Sequence, residues 1–348
     1  MTRSLMFSLE SFADFRPRCP ATLLAVAGLV AALEVALRLV PEGLLIPAHS
    51  REVELLFMER EVLARVPQPQ VVLLGSSRLR YAVAPGLLDE RLGLPPASTL
   101  NAGLDGAHAF EALLFYERNR ARLKHARLVI LYTDEWYLSS GWQLGPLFEM
   151  HAPWPDRLGL PEPQRTRMLL DGIFSMRLRL RMIFETVSNR LSWRKADVLE
   201  LKLDENNQVV PLRPRPIQAV AGDPARYDGT IEAFYSHFAI CQVQMGHLEK
   251  LGRLVREDGG RFVIMQFPNR SAYQGEVQKL HAAEYAQHLA ALGALAQRLD
   301  VPLAVFAEPS ACGLSDYDYA DYGHFTPAGA RKFTEFLADT IKKEGWLR

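Results

Sequence analysis

The sequence lacks any excess of charge of one sign: forty Lys and Arg residues balance forty Asp and Glu. No overall field draws the chain to nucleic acid or another polyanion, and no nucleic-acid partner is expected. Cysteine is scarce. Cys19, Cys241 and Cys312 match no zinc or redox spacing, and an odd, sparse set argues against a disulfide framework. No metal or cofactor signature stands out, so neither group is expected. There is no internal repeat and no low-complexity tract. What is plentiful is apolar side chain, 49% of 348 residues. That suffices for one large α/β domain, or one domain with an insertion, and a sizeable core.

One apolar run is long. Residues 21–40 read ATLLAVAGLVAALEVALRLV, about the length a helix needs to cross a bilayer. Glu34 and Arg38 interrupt it; four apart, they share a helix face, can pair, and Arg38 can also snorkel. Arg3, Arg16 and Arg18 before the run favour a cytoplasmic N-terminus, while Arg51 and Arg60 after it weaken that bias. The expectation is a cytoplasmic lead and transmembrane anchor at 1–47. It makes the protein single-pass in the cell inner membrane, with residues 48–348 in the periplasm of a Gram-negative cell. The alternative is a cleaved signal peptide, which the long charged lead and the missing small-x-small cleavage site disfavour. Cys19 precedes the run and so belongs to no lipobox.

Beyond the anchor, residues 51–65 read as a short amphipathic helix. Four continuous apolar runs follow: 71–74, 128–131, 262–265 and 302–306. Each suits a parallel strand buried on both faces. Helical patterns cover 109–123, 231–257 and 277–300, and a last helix opens at Thr326-Pro327, a capping residue followed by proline at the first helical position. Alternating strands and helices imply an α/β fold with a mainly parallel sheet covered on both faces, and a site beyond the carboxyl ends of its strands. Residues 139–228 break the alternation. Eight basic residues between 165 and 195 face only Asp171 and Glu185. This basic helical insertion reads as a lid or membrane-surface element, or as an ordinary solvated amphipathic helix. Residues 204–225 read as a loop.

Three short segments carry chemistry. Gly75-Ser76-Ser77-Arg78 follows the first strand, where a serine at a helix start exposes its Oγ beside backbone N–H groups that can hold an oxyanion. The same serine can equally be a plain helix cap. Asp321-Tyr322-Gly323-His324 precedes the last helix; its histidine can act as a base and its aspartate can turn back to the imidazole Nδ1–H. Asn101-Ala102-Gly103-Leu104-Asp105-Gly106 offers a close backbone approach and an N–H, or is simply a turn.

In this order the segments resemble the SGNH (GDSL-type) hydrolase superfamily. Ser77 takes the nucleophile position, with Ser76 in place of the usual aspartate. Gly106 takes the oxyanion-donor position, and Asp321, His324, Pro327 and Gly329 match the final D-x-x-H-x-x-P-x-G block. The third block, G-x-N-D, reads Tyr132-Thr133-Asp134-Glu135 here, with Asp134 where the family has its oxyanion asparagine. An ionised aspartate would repel a developing oxyanion, so Asp134 must be protonated, turned away or used differently. The resemblance implies a three-layer α/β/α fold over about 70–345, excluding the basic insertion.

G-S-S behind one membrane helix is similar to a subgroup that includes the D-alanyl-transfer protein of teichoic acids and SGNH-like polysaccharide O-acetylation domains. It implies an acyl donor, a glycan acceptor and a membrane-bound O-acyltransferase partner. Ser77 would form the acyl-enzyme with His324 as base, Asp321 holding the imidazolium and the N–H groups of Ser77 and Gly106 binding the oxyanion. Trp136 and Tyr137 could stack on a sugar, or pack under the insertion. Three readings stay open: acyltransferase to an exported polysaccharide or envelope glycan, esterase or deacetylase, and a degenerate domain that binds glycan or a membrane partner.

Overall fold

The computed structural model describes residues 20–39, 51–139, 144, 146–173, 180, 183–184, 201–203, 209–211, 228–235 and 237–347. Its centre is a five-stranded sheet. Strands β1 (Val71–Ser76), β2 (Thr99–Leu104) and β3 (Leu128–Thr133) are buried at every residue. A separate antiparallel pair, β4 (Leu201–Leu203) and β5 (Val209–Pro211), precedes β6 (Arg261–Gln266) and β7 (Leu303–Val305). The main order is β2-β1-β3-β6-β7 and every neighbouring pair is parallel. Strands covered on both faces have no solvent side to mark with polar residues, which is why they read as unbroken apolar runs.

The main helices are α1 (Pro20–Leu39), α2 (Arg51–Phe57, continued by helical turns at Met58–Val62 and Leu63–Arg65), α3 (Ser77–Ala82), α4 (Pro85–Leu92), α5 (Ala109–Leu123), α6 (Pro146–His151), α7 (Trp154–Leu158), α8 (Gln164–Ile173), α9 (Asp228–Tyr235), α10 (Gln242–Glu257), α11 (Ser271–Leu299) and α12 (Pro327–Lys343). Alternate strand residues divide between two cores. Val72, Leu74, Val129, Leu131, Phe262 and Ile264 pack with Phe110 and Leu113 of α5, Leu248 and Leu251 of α10 and Leu292 of α11. Val71, Leu73, Ile130, Val263 and Met265 pack with Leu79 of α3, Leu88 of α4 and Phe333 and Leu337 of α12. These are the three layers the strand–helix alternation implies. Each such side chain contributes roughly 1.5–3 kcal/mol over leaving it in water.

Three segments depart from expectation. The helix read over 231–257 is two, α9 and α10. Cys241 N–H donates to the Leu138 carbonyl at 2.8 Å and Ile240 bridges to Ser139, a tertiary tie that periodicity does not show. Within the loop read over 204–225, Val209–Pro211 is a strand, paired antiparallel with Leu201–Leu203. The apolar helix over 21–40 is present as α1, with Leu24, Leu29 and Leu39 exposed. Among the described residues, no helix is long and apolar enough to cross a membrane. Arg3, Arg16, Arg18, Cys19 and most of 174–200 lie outside the described residues, as does the Arg38 side chain.

Candidate functional site

Strand β1 ends at Ser76 and α3 begins at Ser77. Ser76 is fully buried and its Oγ accepts from the Arg78 N–H at 3.3 Å, so it caps the helix that carries Ser77. Asn101 of β2 fixes the far end of that helix: its Nδ2 donates to the carbonyls of Leu79, Arg80 and Val83 at 3.2, 3.4 and 3.0 Å. The serine is thereby held at the carboxyl edge of the sheet, half-buried.

The other half of the site is the loop before α12. Thr326 caps that helix, accepting from Gly329 N–H at 3.1 Å, and its own N–H donates to the Asp318 carbonyl at 2.8 Å. A Cβ at Gly329 would collide with that carbonyl oxygen, so the loop can close onto the helix only over glycine. Arg270 N–H donates to the Tyr322 carbonyl at 2.9 Å and Tyr319 OH to the Pro268 carbonyl at 3.0 Å, tying the loop to the segment after β6.

Asp321 folds back within this loop. Its Oδ1 accepts from the N–H groups of Gly323 and His324 at 2.9 and 2.8 Å, and its Oδ2 lies 2.7 Å from His324 Nδ1. Partial burial works to raise this carboxyl. The hydrogen bonds from the His324 ring and the two amides, with the attraction of His324, outweigh it and hold Asp321 at about 2. A carboxylate at Nδ1 selects the tautomer that leaves Nε2 as the acceptor. His324 Nε2 lies 2.8 Å from Ser77 Oγ, across 247 residues of chain. Tyr81 stands edge-on to the imidazole, with centroids 5.8 Å apart. The three side chains form one relay, from a charged acceptor through an oriented base to a hydroxyl, which is the arrangement that makes serine a nucleophile.

The oxyanion side requires corrections. Asp134 is fully buried and its carboxylate is already engaged by four donors. It ion-pairs with Arg78 Nη1 and accepts from Tyr132 OH at 2.8 Å, Trp136 Nε1 at 2.9 Å and the Glu135 N–H at 3.1 Å. Burial raises its carboxyl, but the Arg78 charge and these donors prevail and hold it low, at about 2. Its neighbour Glu135 is pushed the other way, first by burial and then by the charge on Asp134. Asp134 is therefore a committed counter-ion. Trp136 and Tyr137 are 5% and 0% exposed, with Trp136 spent on Asp134 and stacked near Phe234, so neither presents a ring to a sugar. Gly106 lies two residues past Leu104, the β2 partner of Ser76, in a turn with φ +57° that glycine adopts readily. Its place beside the end of β1 is where an oxyanion donor would be needed.

Arg78 is the residue that sequence reasoning passed over. It is 1% exposed, its Nε donates to the Gly323 carbonyl at 3.1 Å, and its guanidinium lies 5.5 and 5.7 Å from the ring centroids of Tyr132 and Tyr322. One side chain thus joins the serine helix, the end of β3 and the histidine loop. The available signal was its place next to Ser77. Among the described residues, no three His, Cys, Asp or Glu side chains come together as metal ligands would. A cavity of about 1050 Å³ opens at the opposite end of the sheet, lined by Arg127, Arg256, Arg261 and Trp346, and holds none of the site residues.

No protein-family model and no curated protein matches this sequence. Among solved structures, the chain is similar to one described as "a putative SGNH hydrolase from Slackia heliotrinireducens". The identity is 16% and the TM-score 0.38, over 79% of this chain and 99% of that one. It is also similar to "a putative acylhydrolase" from Bacteroides fragilis at 12% identity and TM-score 0.37, over 83% of this chain and 97% of that one. Likenesses this distant carry none of the argument below, which rests on the geometry of the site.

Proposed function

We propose that this chain is an SGNH-type serine enzyme that takes an acyl group onto Ser77 and passes it to a hydroxyl. The observation that carries the reading is the unbroken chain of short contacts, Ser77 Oγ to His324 Nε2 at 2.8 Å and His324 Nδ1 to Asp321 at 2.7 Å. Ser77 Oγ attacks the acyl carbonyl and its proton passes to His324 Nε2. Asp321 stabilises the imidazolium, and the backbone N–H groups of Ser77 and Gly106 receive the oxyanion. Collapse expels the donor's leaving group, which takes the proton from His324. An acceptor hydroxyl then repeats the cycle in reverse, deprotonated by His324, and frees Ser77.

The acceptor in this reading is an exported polysaccharide or envelope glycan, the acyl group is acetyl, and the donor side is served by a membrane-bound O-acyltransferase. The support is the apolar run at 21–40, read as a single-pass inner-membrane anchor that puts the domain in the periplasm, together with the G-S-S resemblance. A second reading, ester hydrolysis or deacetylation, is favoured by one observation. Arg78 neutralises Asp134, which removes the electrostatic objection to free hydrolysis.

A fluorophosphonate probe tests the shared chemistry. Wild type should label, and Ser77→Ala should not; equal labelling of the two ends both readings. Where wild type labels, steady release of acetate from an acetyl donor with no acetylated oligosaccharide formed would reject the transferase and leave the esterase.

A further inference from the structure

Arg80, on the helix that carries Ser77, is fully buried and makes an unusual set of contacts. It ion-pairs with Glu54 of α2, lies 3.2 Å from Asp105 Oδ1, and its Nε donates to the Gly103 carbonyl at 2.9 Å. Glu54 is 3% exposed, and its Oε2 accepts the Asp105 N–H at 3.1 Å. One carboxylate from the first helix after the apolar run therefore grips the backbone of the residue immediately before Gly106. It does so while neutralising the arginine beneath it. A buried pair of this kind is a poor device for stability, because desolvation offsets most of the attraction. It is an effective device for fixing a backbone, since neither partner has water as an alternative.

We infer that Glu54, acting with Arg80, is a positioning residue for the oxyanion turn. It sets the direction of the Gly106 N–H from a helix outside the three motif segments. The inference rests on the proposed acyl chemistry at Ser77. It predicts that the turn loses its set when Glu54 loses its charge, because the Asp105 N–H then faces a weaker acceptor and Arg80 loses the charge that Glu54 supplied. Ground-state binding of an ester should be little affected, because the oxyanion does not yet exist in it.

The test uses the full chain in detergent, with p-nitrophenyl acetate as substrate and an aryl trifluoromethyl ketone, whose hemiketal with Ser77 mimics the tetrahedral intermediate. Glu54→Gln should lower kcat about tenfold with KM unchanged, and weaken the ketone by the same factor; losing an oxyanion donor outright costs about 10²–10³. Glu54→Asp should recover part of the loss. Asp105→Asn, at a half-exposed position that the fold can spare, should show the same kcat and ketone pattern at a few-fold. It carries the test should Glu54→Gln fail to fold. Glu54→Gln with wild-type kcat and ketone affinity, or a loss confined to KM, overturns the inference. If Glu54→Gln does not fold, wild-type values in Asp105→Asn overturn it. A wild type that neither labels nor turns over overturns the acyl reading instead.

Discussion

Replacing Asp134 by Asn restores the residue of the resembled third block, and the structure says it should harm this protein. The Asp134 carboxylate gathers four donors, and an amide can replace it toward only one side. With its oxygen toward Arg78, Tyr132 and Trp136, its NH₂ group faces the Glu135 N–H and that bond is lost. Arg78 is then a fully buried cation without its counter-ion, a situation that commonly costs about 3–5 kcal/mol. Glu135 provides partial relief. The Asp134 charge helps to keep it protonated, so removing that charge beside Arg78 lets it ionise. The expected net loss is about 2–3 kcal/mol. The Gly323 carbonyl, which Arg78 Nε holds, should shift and slow fluorophosphonate labelling about tenfold; a 1 Å misplacement can cost about a hundredfold. Urea and thermal unfolding of wild type, Asp134→Asn, Arg78→Met and the double variant check this, with coupling between the two sites of about 2 kcal/mol. Asp134→Asn that unfolds like wild type and hydrolyses esters faster would refute the reasoning and place Asp134 at the oxyanion after all.

His324→Ala should abolish labelling, and Asp321→Asn should lower kcat by about 10⁴, as loss of the tautomer-fixing carboxylate does elsewhere. Asp321 is held at about 2, so it stays charged across the working range. The acid limb of log kcat/KM above pH 4 should therefore have a slope of one, and a slope of two would contradict that assignment. Gly329→Ala should lower Tm by about 4 °C or more, from about 2 kcal/mol of overpacking against Asp318, and unchanged melting would show the loop to be yielding. His288 is fully buried and burial depresses it to about 4. The unfolded chain binds its proton near 6.5, so stability should fall as pH drops from about 6.5 to 4, by up to about 3 kcal/mol. His288→Leu should flatten that fall; an identical slope in urea melts at pH 4.5 and 7 would reject the assignment.

The central strands were legible because double burial leaves an unmistakable pattern in Val71–Leu74 and Leu128–Leu131, and α12 because Thr326-Pro327 is a local capping signal. The break between α9 and α10 was not legible, since its cause is the distant Leu138 carbonyl. In the site, Ser77 stands out as a polar residue at a strand end, and Asp321 and His324 as a polar pair just before a capped helix. Arg78, Arg80 and Glu54 did not, because charged residues are ordinarily exposed; the place of Arg78 beside Ser77 was the one local mark among them. Trp136 and Tyr137 misled for the converse reason: aromatic residues after a strand suit a binding platform and a core equally well.

The distance along the chain from Ser77 to His324 has a consequence for biogenesis. The proposed nucleophile belongs to the first strand–helix step and the proposed base to the last, so their 2.8 Å contact needs both ends of the domain in place. Until α12 docks against the face it shares with α3 and α4, Ser77 is an ordinary alcohol, inert to any ester it meets. On the proposed chemistry, an incompletely folded chain would not react with the probe, and the appearance of probe reactivity would double as a report that α12 has docked.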